Sequence, residues 1–496
     1  MKSHRITRRD FLKGTSLAAA GLGLAPAFSR TVFAAEGRGR VIGPNEEIRF
    51  AVVGFHGRGA DHIGGITKLR QAGEKVRVVA LCDVDKEVLD KGVKQFRDKG
   101  EEVKGYTDVR QVIDDPNIDA VTIATPNHWH ALATIWAVQA GKDVYVEKPV
   151  SHNVSEGRRM VEAARKYARI VQTGTQSRSS RQGIASAVEW VGAGNLGKIK
   201  VARGLCYKRR ASIGKVDGPQ PIPPNIDYDL WCGPAPKGPL MRKHLHYDWH
   251  WVWPTGNGDL GNQGIHEMDV ARWFLGVNEL SPRVFSVGGR FGYVDDGETP
   301  NTLVIYHDYP GAPLIFEVRG LPEAKGSNKM DRYRGAQIGI VIDYEGGYVV
   351  VPDYNTAIAF DKDGKEIKKF SGSESHYANF VKAVRSRKVS DLHADILEGH
   401  LSSALCHTGN TSYRIGHQLE PDEIRERIQD DPMAEEACQR AYEHLQINEV
   451  DLLQTKATLG MVLKMDPKTE RFEGNDQANA LLTRDYRKPF VVPEKV

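Results

Sequence analysis

Six consecutive residues, Gly54-Phe55-His56-Gly57-Arg58-Gly59, carry the first chemical signal in this chain. Glycine has no Cβ, so a loop rich in it turns tightly and lets a pyrophosphate approach the backbone. A helix opening at such a loop presents free N–H groups to the phosphates. His56 stands where a GxGxxG motif has its second glycine, with Gly57 next to it. Read alone, the loop matches an ordinary glycine-rich turn about as well. Its surroundings favour the dinucleotide reading: an apolar run precedes it, a helical stretch follows, and the next apolar run ends on Asp83. A carboxylate there accepts hydrogen bonds from ribose hydroxyls and repels the extra phosphate of NADP, so NAD is the expected cofactor. The distance to Asp83 is somewhat longer than the usual figure of about 20 residues.

A second group sits in "HLHYDWHWVWPTGNGDLGNQGIHEMDV". His244, His246 and His250 are interleaved with Trp249, Trp251 and Trp253. Indole rings pack on the C–H faces of sugars, and imidazoles and Asp248 bond sugar hydroxyls; packing beneath a loop uses the same residues. No chelate spacing supports a metal centre from these histidines and His266, and none is expected.

The elements that must hold these residues alternate. Residues 50–53, "VRVVALCD", "DAVTIATP", "DVYVEKP" and "RIVQTG" are apolar runs of strand length separated by helical stretches such as "HALATIWAVQAG", which ends at Gly141. Continuous apolar strands between helices imply an α/β Rossmann domain, a doubly wound parallel sheet covered on both faces, over residues 46–172. "KIKVARGLCY", "RVFSVGGRF", "NTLVIYHDY", "PLIFEVRG", "QIGIVIDY" and "YVVVPD" read as strands of a second domain over 173–416, with a hairpin signal at Asp363-Gly364. A proline-rich loop, "GPQPIPPNIDYDLWCGPAPKGP", is expected to wrap the rim of the site. Residues 417–496 read as a helical extension, including "PDEIRERI", "PMAEEACQRAYEHLQ" and "DLLQTKATLGMVL".

The chain begins differently. "ITRRDFLKG", a mild apolar run and "VFAA" form a twin-arginine signal over residues 1–34, with cleavage expected after Ala34. Its apolar run is too short and too weakly hydrophobic for a span, which takes about 20 residues. The expected destination is the periplasm or another exported space, reached through the twin-arginine machinery, with no stable membrane anchor. A net charge of +4 with no basic stripe predicts no nucleic-acid partner. The five cysteines have no CxxC spacing, and no disulfide is expected.

Glu147-Lys148-Pro149, closing a Rossmann strand after "ATPNHWHA", resembles the glucose–fructose oxidoreductase, inositol dehydrogenase and rhizopine-catabolism (Gfo/Idh/MocA) family. The resemblance runs from the first strand to near Arg414. It implies that Lys148 is the central catalytic residue, between nicotinamide and substrate, and that Thr125, Pro126, Asn127, His130 and Glu147 line the cofactor. Hydride leaves a carbinol carbon only as the hydroxyl proton is removed, and a desolvated lysine has the lowered pKa this needs. The second domain is then an α+β domain with a large, mostly antiparallel sheet that receives a sugar or polyol and through which family members commonly pair into homo-oligomers. His266 matches the family's catalytic histidine, and Asp269 shares its helix face. Asn262 departs from the family's aspartate, so proton relay rests on Lys148 and His266 or borrows Asp259 or Glu267. Arg178, Trp249, His250, Asn262 and Asp269 are the expected substrate contacts. Two rivals stand beside net oxidation: redox-neutral cleavage of a glycoside through a transient keto-sugar, and an inactive carbohydrate-binding protein that keeps NAD as a structural part. An exported Rossmann enzyme meets no dependable NAD outside the cytoplasm, which predicts a tightly bound cofactor loaded before export.

Overall fold

The computed structural model describes residues 40, 42, 43 and 45–496. The expected leader, residues 1–34, lies outside them. Among the described residues, β1 (Ile48–Val53), β2 (Val76–Cys82), β3 (Lys104–Tyr106), β4 (Ala120–Ile123), β5 (Asp143–Val146) and β6 (Val171–Thr173) form a parallel sheet in the order β3-β2-β1-β4-β5-β6. Their Val, Ile and Ala runs are buried on both faces, as a parallel sheet requires. Strand β3 was not anticipated. It has three residues, with exposed Lys104 and Gly105 at the sheet edge, and so carries no apolar run to read.

Helices α1 (Arg58–Gln71), α2 (Lys86–Arg97), α3 (Val109–Asp114), α4 (Asn127–Gln139) and α5 (Val154–Lys166) connect these strands. Residues of α4 and α5, including Ile135, Val138 and Met160, pack in one cluster with β4 and β5. On the other face α1 is joined by a helix from far along the chain, His376–Ser386, whose Phe380 and Val381 pack with Phe50, Ile66 and Tyr145.

The second sheet contains β7 (Ile199–Tyr207), β8 (Arg283–Gly289), β9 (Thr302–Asp308), β10 (Leu314–Arg319), β11 (Ile338–Tyr344), β12 (Gly347–Val351), β13 (Thr356–Asp361), β14 (Glu366–Ser371), β15 (His417–Leu419) and β16 (Ala457–Leu459). They run in the order β14-β13-β12-β11-β7-β10-β9-β8-β16-β15. Only the β7–β10 pair along this path is parallel. Side chains alternate across it. Leu303 and Ile305 join the core beneath helices Gly264–Leu275 and Ile396–Arg414, while Val304 and Tyr306 face the opposite side.

The extension divides between helices and strands. Helices Pro421–Ile428 and Pro432–Ile447 cover the side that carries Val304 and Tyr306, with Arg440 forming two bonds to buried Glu317, at 2.8 and 2.5 Å. The sheet face that family resemblance expects to meet a second copy is thus partly covered by the chain itself. "DLLQTKATLGMVL", expected to be helical, is instead a turn followed by β16 and a strand Leu463–Asp466, both paired to β8. The open edge of β8 offers backbone partners that outweigh a weak helical pattern interrupted by Thr455, Thr458 and Gly460. All five cysteines are free and buried. Among the described residues no helix is long and apolar enough to cross a membrane.

The last residues return to the Rossmann domain. Phe490 is 1% exposed, its ring 5.4 Å from Trp129 and 6.5 Å from Trp136 of α4. Arg487 anchors it by donating to Asp229 at 2.9 Å. We predict that Phe490→Ala lowers unfolding free energy by about 3–5 kcal/mol, the cost of emptying a buried aromatic site. Urea titration of the two proteins checks this; a loss under about 1 kcal/mol would show that the tail is not part of the cooperative core.

Candidate active site

The glycine loop turns where β1 ends. Gly54 has φ +73°, and a Cβ on Gly59 would lie 2.0 Å from the Gly54 carbonyl, so both positions require glycine. A Cβ on Gly57 would meet nothing within 4 Å, because this residue borders an open cleft. No side chain caps helix α1; in its first turn the Ala60 N–H donates to the Gly57 carbonyl at 2.9 Å. Asp83 accepts from the backbone N–H of Phe55 on one oxygen and of Asp85 on the other, each at 3.0 Å. Each oxygen keeps a second lone pair for a ribose hydroxyl. Burial raises the Asp83 carboxyl pKa, with the two N–H bonds acting against it.

The cleft encloses about 440 Å³ and runs from Asp83, Thr107 and Asp108 past Gly54, His56, Gly57 and Arg58 to Thr125, Pro126, Asn127, His130, Glu147, Lys148 and Asn262. Uncapped helix, glycine cradle and carboxylate along one groove fit an NAD molecule. Its roof comes from the second domain: Leu230, Trp231, His246, Tyr247, Trp249 and His250. The proline-rich segment is stitched to the Rossmann domain beside Asp83. The Lys86 N–H donates to the Asn225 carbonyl at 2.9 Å, and Asn225 Nδ2 donates to Asp85 at 2.7 Å. His246 Nε2 lies 3.1 Å from Asp85, and Trp129 Nε1 donates to the Leu230 carbonyl at 2.9 Å. Among the described residues His56, Asp85 and His246 form one group whose ligand-type atoms lie within 4.8 Å of one another. Asp85 already caps α2 through the N–H groups of Glu87 and Val88.

At the far end of the cleft, Glu147 and Lys148 follow β5, and Lys148-Pro149 is cis. Glu147 is buried, and its Oε1 accepts from Arg58 Nε at 3.0 Å and pairs with His62 Nε2 at 3.1 Å. Burial alone would raise this carboxyl; the His62 bond and the Arg58 charge override it and hold Glu147 well below the usual carboxylate range. Lys148 Nζ donates to the Asn262 carbonyl at 2.6 Å. Burial lowers the Lys148 ammonium pKa, with Arg58 and Lys208 adding to it against Glu147 and Glu267. His130 places its two ring nitrogens 2.6 Å from the Pro149 carbonyl and 2.8 Å from the Thr125 carbonyl, bracing both loops.

Asn262 lines the cleft, but His266, at the start of helix Gly264–Leu275 just beyond it, does not. His266 is buried, its ring 4.9 Å from that of Tyr354, and its Nδ1 has no partner. Burial, with Lys148 nearby, lowers its pKa well below the usual imidazole range. Gln263 organises this helix start, and its spacing gave no sign of it. Its Oε1 accepts from Lys208 Nζ at 2.8 Å, while its Nε2 donates to Glu267 at 3.1 Å and Tyr354 at 3.0 Å. Glu267 is buried with one oxygen unpartnered, and burial pushes its carboxyl up to about 8. Asp259, the other suggested relay carboxylate, forms two bonds with Arg210 at 2.9 and 2.6 Å.

Two expected substrate contacts are corrected. Arg178 and Asp269 do not line the cleft. They are buried against each other in a bidentate pair, with Arg178 Nε 2.9 Å and Nη2 2.9 Å from the carboxylate oxygens. Glu398 lies 3.0 Å from the guanidinium, and Ser402 donates to Asp269 at 2.7 Å. These partners come from distant segments, so each charge is neutralised internally. Trp249 and His250 do reach the cleft, stacked with ring centroids 3.6 Å apart. Burial takes the His250 pKa down to about 3, and that of His128, whose Nε2 faces the Trp231 carbonyl at 2.9 Å, also to about 3. Both imidazoles are neutral in the folded protein, whereas the unfolded chain protonates them below about pH 6.5. Their contribution to stability is therefore present above that pH and is lost as pH falls toward about 3, by up to about 1.4 kcal/mol per pH unit for each ring. We predict that urea-measured stability declines from about pH 6.5 to about pH 4.5, and that His128→Gln flattens the decline by roughly one such increment. An unchanged slope would show that His128 is charged when folded.

Comparison with known proteins agrees with this geometry. Residues 48–175 match the oxidoreductase family's NAD-binding Rossmann fold, and residues 194–445 match its C-terminal alpha/beta domain. Levoglucosan dehydrogenase of Pseudarthrobacter phenanthrenivorans is 28% identical over 48% of this chain and 59% of its own length. Myo-inositol 2-dehydrogenase of Thermotoga maritima is 29% identical over 49% of this chain and 58% of its length. A glycosyl hydrolase family 109 protein of Shewanella baltica is 33% identical over 32% of this chain and 37% of its length. The aligned region thus spans less than two thirds of each of these relatives. Among solved structures, the WlbA dehydrogenase from Bordetella pertussis in complex with NADH and UDP-GlcNAcA shares the fold at a TM-score of 0.53. It is 21% identical, with 73% of this chain and 94% of that one covered. An oxidoreductase domain protein from Kribbella flavida gives a TM-score of 0.56 at 18% identity, covering 74% and 96%. With both domains matched across most of its described length, the chain belongs to the Gfo/Idh/MocA oxidoreductase family.

Proposed function

We propose that this protein transfers a hydride between a ring carbinol carbon of a sugar or polyol and a tightly held NAD, and that it works after export through the twin-arginine pathway. One observation carries the catalytic part: Lys148 Nζ, with its pKa lowered by burial, lies at the end of the dinucleotide groove and bonds the Asn262 carbonyl, just before the helix that carries His266. Bound nicotinamide supplies the two-electron acceptor for the carbinol C–H hydride. Lys148 takes the hydroxyl proton at Nζ as the carbonyl forms, and returns it in the reverse direction. His266, kept neutral by burial, holds the same hydroxyl by hydrogen bonding. Trp249 and His250 close the cleft against water.

Tight retention of the cofactor is supported by the roof. Trp231, His246 and Tyr247 would cover a dinucleotide held in the groove, and the bonds to Asp85 and Lys86 hold that cover in place. The twin arginines in the leader support export with the cofactor already loaded. Similarity to the glycosyl hydrolase family 109 protein favours a second reading, in which hydride returns after a glycosidic bond is broken and no net oxidation remains.

Purified protein should release NAD or NADH on denaturation, and its absence would overturn tight binding. Anaerobic addition of sugars should then raise reduced-nicotinamide absorbance. No rise, together with cleavage of an aryl glycoside, would establish the redox-neutral course. Lys148→Ala should keep the cofactor and lose roughly 10²–10⁴ in kcat, the range for removing a general base; unchanged turnover would remove Lys148 from the mechanism.

A further inference from the structure

Three side chains able to ligate a metal converge along the cleft from three separate segments. His56 belongs to the glycine loop after β1, Asp85 to the turn after β2, and His246 to the roof supplied by the second domain. Their ligand-type atoms all lie within 4.8 Å of one another. His246 Nε2 and Asp85 Oδ2 are 3.1 Å apart. Two ligands about 2.0–2.1 Å from one tetrahedral ion are themselves about 3.3 Å apart. This pair therefore already has the spacing of two ligands on one ion.

The carboxylate is oriented for that task. Asp85 is buried, and its Oδ1 accepts from the N–H groups of Glu87 at 3.0 Å and Val88 at 3.3 Å and from Asn225 Nδ2 at 2.7 Å. Those donors hold the group with Oδ2 at His246, as outer-shell partners hold a ligating carboxylate. His56 is exposed, His246 is half-buried, and both line the cleft, so an ion reaches them from solvent. Among the described residues the His56 side chain forms no hydrogen bond or ion pair; its ring meets that of His246 edge-on, with centroids 4.5 Å apart. It can turn a nitrogen toward the other two without breaking a bond.

From this we propose that His56, Asp85 and His246 bind a divalent transition metal of the zinc class, which clamps the roof onto both Rossmann turns. The spacing of the second domain's histidines gave no sign of this set, because two of its three members come from the first domain. Two imidazoles and one carboxylate suit zinc or cobalt, whereas magnesium and calcium take oxygen ligands. A fourth ligand comes from water or from a phosphate oxygen in the cleft. The metal site stands on its own geometry. Its effect on the cofactor rests on the reading that NAD occupies the cleft.

The test uses untagged full-length protein, freed of metal by chelation and titrated with and without NAD. Calorimetry with Zn²⁺ should give one equivalent per chain, Co²⁺ should develop visible absorption, and Mg²⁺ should bind far more weakly. His56→Ala and His246→Ala should each weaken Zn²⁺ binding about tenfold or more, and Asn225→Ala, which loosens the carboxylate, by about tenfold. His417→Ala, which removes an exposed histidine from β15, should leave it unchanged. Circular dichroism checks that each variant is folded; His56 is exposed, so its variant tests the site without disturbing the core. Less than half an equivalent of Zn²⁺ would overturn the site. So would equal binding by the original protein and both histidine variants, which would show adventitious surface binding only. NAD affinity, measured by equilibrium dialysis, should rise about fivefold or more with Zn²⁺, within the usual range of coupling between two sites, and the rise should vanish in His246→Ala. Zn²⁺ binding with no such rise would overturn the clamp. No NAD binding with or without Zn²⁺ would instead overturn the cofactor reading, and the titration without NAD would still decide the metal site.

Discussion

The bond from Lys148 Nζ to the Asn262 carbonyl ties the two domains together at the end of the dinucleotide cleft. The last carbonyls of a helix lack an internal partner. Here a short helix, Gly258–Asn262, stops just before helix Gly264–Leu275 begins, and the break exposes the carbonyl that Lys148 reaches. Gly264 keeps that junction close to the sheet: a Cβ there would sit 3.0 Å from the Phe316 ring. The acceptor being neutral matters as much as its position. A carboxylate would hold the ammonium charged, whereas a neutral carbonyl opposes the drop in pKa that burial causes far less. One residue earlier, Glu147 is treated in the opposite way. Arg58 and His62 keep it ionised despite full burial. Adjacent side chains at one strand end are thus driven to different protonation behaviour by their partners alone.

Closure of the groove serves the same end. Lys148, His266 and His250 have lowered pKa values because protein rather than water surrounds them. The segment running from Asn225 to His250, which carries the roof residues of the cleft, is pinned at Asp85 through Asn225 and His246. Tyr247, at the bend of this segment, adopts φ +64°, an uncommon conformation for a bulky residue. Its hydroxyl accepts from Arg210, which in turn holds Asp259. The roof and the short helix Gly258–Asn262 are consequently linked through one guanidinium.

Much of this architecture could be read from residue patterns. Apolar runs placed β1, β2, β4, β5 and β6, and Glu147-Lys148-Pro149 at the end of β5 was recognisable because its strand and loop were. Short edge pieces were not legible: β3 has no apolar run, and β16 forms because β8 offers it an edge. Charged residues failed for a related reason. Arg178 and Asp269 look like substrate contacts when considered singly, and their mutual pairing, with Glu398 and Ser402 contributing, exists only once three distant segments meet. Gln263 is an unremarkable amide in sequence, yet its oxygen and nitrogen bind Lys208, Glu267 and Tyr354 simultaneously. Pairing partners decide whether a charge serves structure or chemistry, and partners are a property of the fold.

Asn262 shows how this bears on the family pattern. An aspartate at that position would add a further ionisable carboxyl five residues before Glu267, and like charges near one another do not both ionise readily. The amide avoids that conflict. Its backbone carbonyl still receives Lys148, so the anchoring bond survives the change of side chain. Asn262 is uncharged, burial pushes the Glu267 carboxyl up to about 8, and Asp259 is committed to Arg210. The substitution of an amide for an acid therefore shifts the electrostatic balance of this helix start toward positive. Lys208 holds the side chain of the very next residue, Gln263, and so braces the start of that helix from the second sheet.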